Sequence, residues 1–193
     1  MGAAASNPTP SLTSSLRRHA LAAGFTPELR FEQVQNVRLG LVGAEMGSGQ
    51  PVIYGMDPSQ SVLEGVLASC AVPPWFEPIE NDHELIVDGG ALSLLPIEPA
   101  LTMGATEIIA LDLSGSPSQS RLPRRLNQVN KAVSSFGQHE TYLELALAEA
   151  RGVPVHYMQL QSTPPIQMWD FSTFRNPIAT GYETASHYMS DWN

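Results

Sequence analysis

The segment Glu84–Gly90 constrains the fold of this chain more than any other, because an apolar run leads directly into an aspartate and two glycines. Leu85 to Val87 is predicted to be a buried strand, with Asp88 at its end. Open α/β sheets place their functional side chains at strand ends. Two interpretations of Asp88 stay open: a turn-forming residue followed by Gly89 and Gly90, or a general base that these glycines leave accessible.

Strands alternate with helices along the chain, which predicts the α/β class. Apolar patterning and turn signals place strands at 37–45, 51–54, 85–87, 107–113 and 153–160, and helices at 15–23, 61–71, 96–104, 126–150 and 177–192. The first two strands are close enough to form a hairpin. Ser61 and Glu64 form a capping-box pattern at a helix start. The continuous apolar run at 107–113 favours a strand that is covered on both faces.

Composition narrows the classes of function. The chain has 193 residues, enough for one domain with a sizeable core. Nineteen acidic against ten basic residues give a net charge of −9, so nothing supplies the basic footprint of a nucleic-acid-binding protein. Nucleic acid is therefore not an expected partner.

The single cysteine, Cys70, excludes an internal disulfide and fits a reducing compartment. No apolar stretch is long enough to span a bilayer, and the first residues lack the pattern of a secretory signal. We therefore expect a cytoplasmic location with at most peripheral membrane contact. The basic residues Arg121, Arg124 and Arg125 either meet an anionic lipid head group or lie in a solvated loop.

The other polar residues give weaker signals. The five histidines have no ligand spacing with cysteine or acidic residues, so no metal is expected. Asp112 ends an apolar strand, where it either borders the site or caps a loop. Trp75 and Phe76 follow two prolines, where they either line a pocket or pack in the core.

Several motifs in order resemble the patatin-like phospholipase and acyl hydrolase family, over roughly residues 30–190. They are Ala68–Phe76, Ile86–Gly90, the helix after Pro96, and Gly104–Asp112. The resemblance implies a three-layer α/β fold with a central mixed, mainly parallel sheet flanked by helices. It also implies hydrolysis of lipid acyl esters by a Ser–Asp dyad, with no metal and no organic cofactor.

Carried over residue by residue, the resemblance makes Asp88 the catalytic base of the dyad, taking the serine proton directly. Gly89 and Gly90 would let the strand turn without blocking the nucleophile, and Trp75 and Phe76 would line the acyl pocket. No serine in the chain has glycine both two before and two after it, and no glycine-rich oxyanion loop is present. We expect little or no ester hydrolysis by this chain alone.

We therefore expect the N-terminal part of the fold to be missing, with residues 1–25 as a mobile lead-in or partial helix and residues 26–193 as the C-terminal part of the domain. Its partners would be a lipid or other acyl-ester substrate, and the missing half or another chain at an open sheet edge. The alternative is a non-catalytic α/β module of the same family that binds lipid or protein. One departure from the family lies at Ala91–Pro96, where leucines stand in place of the usual asparagine.

Overall fold

The computed structural model describes residues 12–81, 83–113, 139–159 and 175–190. The chain divides into two compact units, Met1–Leu92 and Ser93–Asn193. The division expected from the sequence, 1–25 and 26–193, stays a prediction.

The first unit contains four described strands and two described α-helices. The strands are β1 (Leu41–Glu45), β2 (Pro51–Tyr54), β3 (Ile79–Asn81) and β4 (Glu84–Asp88), and the helices are α1 (Leu12–Ala22) and α2 (Val62–Ser69). The strands form one sheet in the order β2-β1-β4-β3, and every pairing in it is antiparallel. Strand β4 is therefore internal, paired with β1 on one side and β3 on the other.

The predicted hairpin of β1 and β2 is confirmed, but β1 begins later than expected. Pairing starts where Leu41 faces Tyr54, and Val37 is exposed. The carboxylate of Glu45 accepts the backbone N–H groups of Gly47 and Ser48 in the turn, at 2.7 and 2.5 Å. Strand β2 has only four residues, and its ladder with β1 ends where Tyr54 faces Leu41.

Helix α2 begins where the sequence predicts it. The Ser61 hydroxyl accepts the backbone N–H of Glu64 at 3.4 Å, the first half of a capping box. The apolar side of the helix is buried, and Ala68 lies in one cluster with Tyr54 and Ile86. The helix ends at Ser69, which satisfies the prediction that Pro73 and Pro74 forbid continuation. Burial of this side holds the helix against β1 and β4.

The second unit contains α3 (Ile97–Thr102), β5 (Ile108–Asp112), the helical residues 139–150 (α4), β6 (Val155–Gln159) and α5 (Arg175–Ser190). Strands β5 and β6 pair in parallel, with Ile108 opposite Val155. Gly104 has φ +89°, a conformation that favours glycine, and it follows α3 as expected. The core of the unit consists of Leu95, Ile97, Leu101, Ile108, Ala110 and Ala148.

The expectation that 107–113 would be covered on both faces is wrong. Burial alternates along β5, and Ile109 and Leu111 are 54% and 55% exposed. Only one side of this strand packs against the α3 and α4 residues of the core. A continuous apolar run therefore did not distinguish a strand buried on one face from a strand buried on both.

The α/β class and the mixed character of the sheets are confirmed, while the pairing is less parallel than expected. Of the four strand pairings in the described part, three are antiparallel. Hairpin connections favour antiparallel neighbours, whereas the parallel pair needs a long crossover. Helix α1 begins at Leu12, three residues before the predicted start. The arginines at 121–125, the predicted helix before residue 139 and residues 1–11 of the expected lead-in lie outside the described residues.

Among the helices that the structure describes, none combines the length and the apolar character that crossing a bilayer would require.

Candidate functional site

Asp88 lies at the end of the internal strand β4, as the sequence predicts. In register it faces Gly43 of β1, and its backbone N–H donates to the carbonyl oxygen of Ala71 at 3.1 Å. The two residues before it, Ile86 and Val87, are buried, whereas Asp88 is half-buried. The carboxylate is thus held by a rigid strand and still reaches solvent.

The Asp88 carboxylate has a defined orientation. Its Oδ1 accepts the backbone N–H of Gly90 at 2.7 Å and caps the short 3-10 turn Gly89–Ala91. Burial raises the pKa of the Asp88 carboxyl, and the N–H of Gly90 opposes that shift. A raised pKa makes a carboxylate a stronger proton acceptor, which is what a general base needs near neutral pH.

The two glycines after Asp88 have different roles. A Cβ on Gly89 would lie 2.7 Å from the Val42 carbonyl oxygen and 3.0 Å from its Cγ1, so Gly89 is required by close packing against β1. Gly90 supplies the N–H that orients the carboxylate. The sequence predicted that these glycines let the strand turn, and the structure adds the close approach of Val42.

Cys70 is near Asp88, which the sequence analysis missed. Burial raises the pKa of the Cys70 thiol, and the negative charge of Asp88 raises it further. The hydrogen bond from Asp88 to Ala71 brings the end of α2 beside the end of β4. Only the register between the α2 terminus and the sheet determines this proximity, and no local sequence signal reports it.

Trp75 and Phe76 are both half-buried and lie in the loop that follows α2. Their backbone N–H groups both donate to the Val72 carbonyl oxygen, at 3.0 and 3.1 Å. Their assignment to an acyl pocket stays a prediction, as does the catalytic role of Asp88.

The remaining polar candidates, His83 and Asp112, belong to other segments of the chain. His83 has φ +73° in the turn before β4, at the opposite end of that strand. Asp112, in the second unit, is 3% exposed and accepts a hydrogen bond from the Tyr157 hydroxyl. Within the described ranges, no three His, Cys, Asp or Glu side chains cluster in a way that could hold a metal ion.

A cavity of about 420 Å³ lies elsewhere in the first unit, and no sequence pattern indicated it. Residues of α1, α2 and the β3 region line it together with Tyr54 of β2, and neither Asp88 nor Trp75 is among them. Its walls come from segments far apart in sequence, so only the tertiary fold creates it.

Residues 7–101, just under half of the chain, match the family model described as patatin-like phospholipase. The matched segment contains the whole first unit except its first residues, and it includes Asp88, Gly89 and Gly90. The resemblance inferred from the motif order is thereby confirmed.

Curated relatives agree with this family. An uncharacterized NTE family protein of Mycobacterium bovis is 31% identical over 106 residues, which are 55% of this chain and 18% of that protein. Uncharacterized NTE family proteins from two strains of Mycobacterium tuberculosis, CDC 1551 / Oshkosh and ATCC 25618 / H37Rv, match with the same identity and coverage. The chain thus spans less than a fifth of the length of these relatives.

Proposed function

We propose that this chain contributes the general base of a Ser–Asp dyad that hydrolyses acyl esters of lipids, and that Asp88 is this base. The match of residues 7–101 to the patatin-like phospholipase family suggests lipid acyl hydrolysis. The observation that carries the assignment to Asp88 is its geometry: a half-buried carboxylate with a raised pKa, fixed by the Gly90 N–H at the end of an internal strand.

In the proposed reaction the serine hydroxyl gives its proton to the Asp88 carboxylate while its oxygen attacks the acyl carbonyl carbon. The alcohol then leaves with the proton that Asp88 returns, and the acyl group stays on serine. In the second half, Asp88 takes a proton from water, which attacks the acyl carbon. The fatty acid leaves, and the proton goes back to the serine oxygen.

The nucleophile of this reaction comes from another segment or another chain, because no serine among the 193 residues has the Gly-x-Ser-x-Gly spacing. Strands β2 and β3 are the edges of the described four-stranded sheet. Unpaired backbone groups at a sheet edge can pair with a further strand. We therefore place the serine-bearing segment at one of these two edges.

The first experiment assays this chain with a short-chain nitrophenyl ester, before and after Asp88→Asn. We expect hydrolysis at or near the buffer rate for both proteins. Robust turnover that survives Asp88→Asn would show that the nucleophile and its base lie elsewhere in the chain.

The second experiment uses the natural gene product that contains this chain together with its nucleophile. Asp88→Asn keeps an oxygen for the Gly90 N–H but removes the proton acceptor, so kcat should fall by about 10²–10⁴ with a much smaller change in KM. Asp57→Asn is the matched control, because Asp57 is an exposed aspartate with the same type of local hydrogen bond. An Asp88→Asn variant that keeps more than about a tenth of kcat would contradict the dyad assignment.

The second candidate function is a non-catalytic module that binds lipid or protein. The exposed apolar residues Ile109 and Leu111 on one face of β5 favour it, since adjacent exposed apolar side chains mark interaction surfaces. Co-sedimentation with phosphatidylcholine vesicles tests it. Binding that Asp88→Asn leaves intact and that Leu111→Ser abolishes would support this function over the catalytic one.

A further inference from the structure

Helix α5 exposes a continuous apolar stripe. Ile178, Tyr182 and Met189 are 64%, 76% and 51% exposed, and Ala185 between them is half-buried. Because an α-helix turns by about 100° per residue, these positions fall within about 60° of arc and lie in one line along the helix. Of the α5 side chains that the structure describes, none is buried. Adjacent exposed apolar side chains of this kind mark an interaction surface.

The composition of α5 indicates that it depends on packing for its stability. The helix has 16 residues, close to the length at which isolated helices are marginal in water. Gly181 in its interior and the β-branched Thr180 and Thr184 lower its helix propensity further. Most helical stability in proteins comes from the packing of an apolar face. We therefore expect another surface to cover the stripe.

The spacing of the stripe fits a second copy of the same helix. The intervals of four, three and four residues are those of a heptad seam. In an antiparallel pair with two-fold symmetry, Ile178 faces Met189 of the second copy, and Tyr182 faces Ala185 of the second copy. The largest side chain of the stripe then meets the smallest, so that the layers have similar widths. A parallel pair would instead place Tyr182 against Tyr182 and Ala185 against Ala185.

The charges of α5 also favour pairing with itself. The chain has a net charge of −9, whereas α5 has one arginine and one glutamate, Arg175 and Glu183. The residues that flank the stripe are uncharged: Ala179, Gly181, Ser186 and Tyr188. Two copies therefore bring no like charges together beside the stripe. In the antiparallel arrangement, Arg175 at the start of one helix lies beside the carboxyl end of the other, where a cation is favourable.

We propose that α5 pairs antiparallel with α5 of a second copy and makes this chain a homodimer. A membrane surface fits the stripe less well, because interfacial helices have several basic residues on their polar face and α5 has only Arg175. The helix is about 24 Å long, so the interface is at the small end of the range for specific contacts. We expect a dissociation constant on the order of 10–100 μM.

Sedimentation velocity of this chain, from concentrations well below that range to well above it, tests the proposal. We expect a monomer–dimer equilibrium that Tyr182→Glu weakens at least about 30-fold, because each dimer would bury the new charge twice. Tyr142→Glu is the matched control, since Tyr142 of α4 is 70% exposed and receives the same charge. It should leave the dissociation constant unchanged, as should Asp88→Asn in the first unit. Both tyrosines are exposed, so neither change should unfold the protein, which near-ultraviolet circular dichroism checks.

Exchanging charges tests the antiparallel register. Ile178→Lys and Met189→Glu should each be monomeric alone, because a homodimer would place the new charge against an apolar side chain in two layers. Mixed in equal amounts, the two proteins should associate, since the lysine then faces the glutamate and the other layer keeps Ile178 against Met189. A parallel pair would gain nothing from mixing.

Three results would overturn the proposal: a parent that stays monomeric at every concentration, a dimer that Tyr182→Glu leaves intact, or no association in the mixture. A monomeric parent that binds phosphatidylcholine vesicles, with binding lost in Tyr182→Glu, would also overturn it and would assign the stripe to a membrane.

Discussion

Asp88 and Asp57 make the same local hydrogen bond, yet the pKa values of their carboxyl groups shift in opposite directions. Each accepts the backbone N–H of the residue two positions further on, Asp88 from Gly90 at 2.7 Å and Asp57 from Ser59 at 2.9 Å. For exposed Asp57 this bond and the Ser59 hydroxyl lower the pKa, whereas burial raises the pKa of Asp88. The position at the end of an internal strand, and not the local turn, thus distinguishes the candidate base.

This difference predicts how stability depends on pH. Because its pKa is raised, Asp88 contributes stability fully below its ordinary value of 3.8 and loses that contribution as pH rises through the raised value. The Asp88→Asn variant should not show this decrease of stability with rising pH. At pH 7 we expect urea unfolding to show a gain below about 1 kcal/mol, since solvent screens a half-exposed carboxylate.

Asp57→Asn is the opposite control. The lowered pKa of Asp57 means that its contribution is present above 3.8 and is lost as pH falls through the lowered value. This variant should therefore lose stability at pH 7. Equal pH profiles for the two variants would contradict the difference in their surroundings.

Close packing at Gly89 predicts opposite effects for two Gly→Ala changes. Gly89→Ala places a Cβ 2.7 Å from the Val42 carbonyl oxygen, and overpacking of this kind costs about 1–3 kcal/mol. Gly181→Ala, within helix α5, meets no atom within 4 Å and should stabilise by about 0.5–1 kcal/mol. Chemical denaturation of the two variants measures both. Equal destabilisation would show that backbone freedom, and not space, explains Gly89.

Glu144 of α4 supplies the N-terminal cap of α3. Its Oε2 accepts the backbone N–H groups of Ile97 and Glu98 at 2.5 and 3.0 Å, while the N-cap residue Pro96 makes no side-chain cap. Glu144→Ala should cost about 1–2 kcal/mol, and Glu144→Gln less, because the amide oxygen still accepts. The exposed Glu140 of the same helix gives the control, and an equal loss in Glu140→Ala would contradict the cap.

The Tyr157 hydroxyl donates to the buried carboxylate of Asp112. Burial, this hydrogen bond and the Asp112 charge raise the pKa of Tyr157 to about 12, so its contribution to stability is present below pH 10 and is lost as pH rises through about 12. Ultraviolet titration should show a phenolate that forms near pH 12 and that Tyr157→Phe removes. That variant should also lose about 1 kcal/mol of stability. Tyr142→Phe, at an exposed position, should leave the late step in place.

Local sequence signals were sufficient to predict much of the first unit. The Ser61 cap, the prolines after α2 and the hairpin all depend on residues close in sequence, and the structure contains each of them. The strand that ends at Asp88 was predicted for the same reason, since its apolar run and glycines are contiguous.

The features that sequence reasoning missed all depend on distant contacts. Neither the approach of Val42 to Gly89 nor the proximity of Cys70 to Asp88 follows from spacing along the chain. The exposure of one face of β5 was missed for the same reason, because a run of apolar residues does not show which elements pack against it. The cavity beside Tyr54 combines segments of α1, α2 and β3, and no one of them signals it.

The cap on α3 has a consequence for the order of assembly. A helix of six residues is too short to persist unaided, and the carboxylate that secures its first turn comes 47 positions later. During synthesis, Ile97–Thr102 therefore leaves the ribosome before its anchor exists. The segment should become helical only once residue 144 has also been made, so that the two helices form together and not in succession.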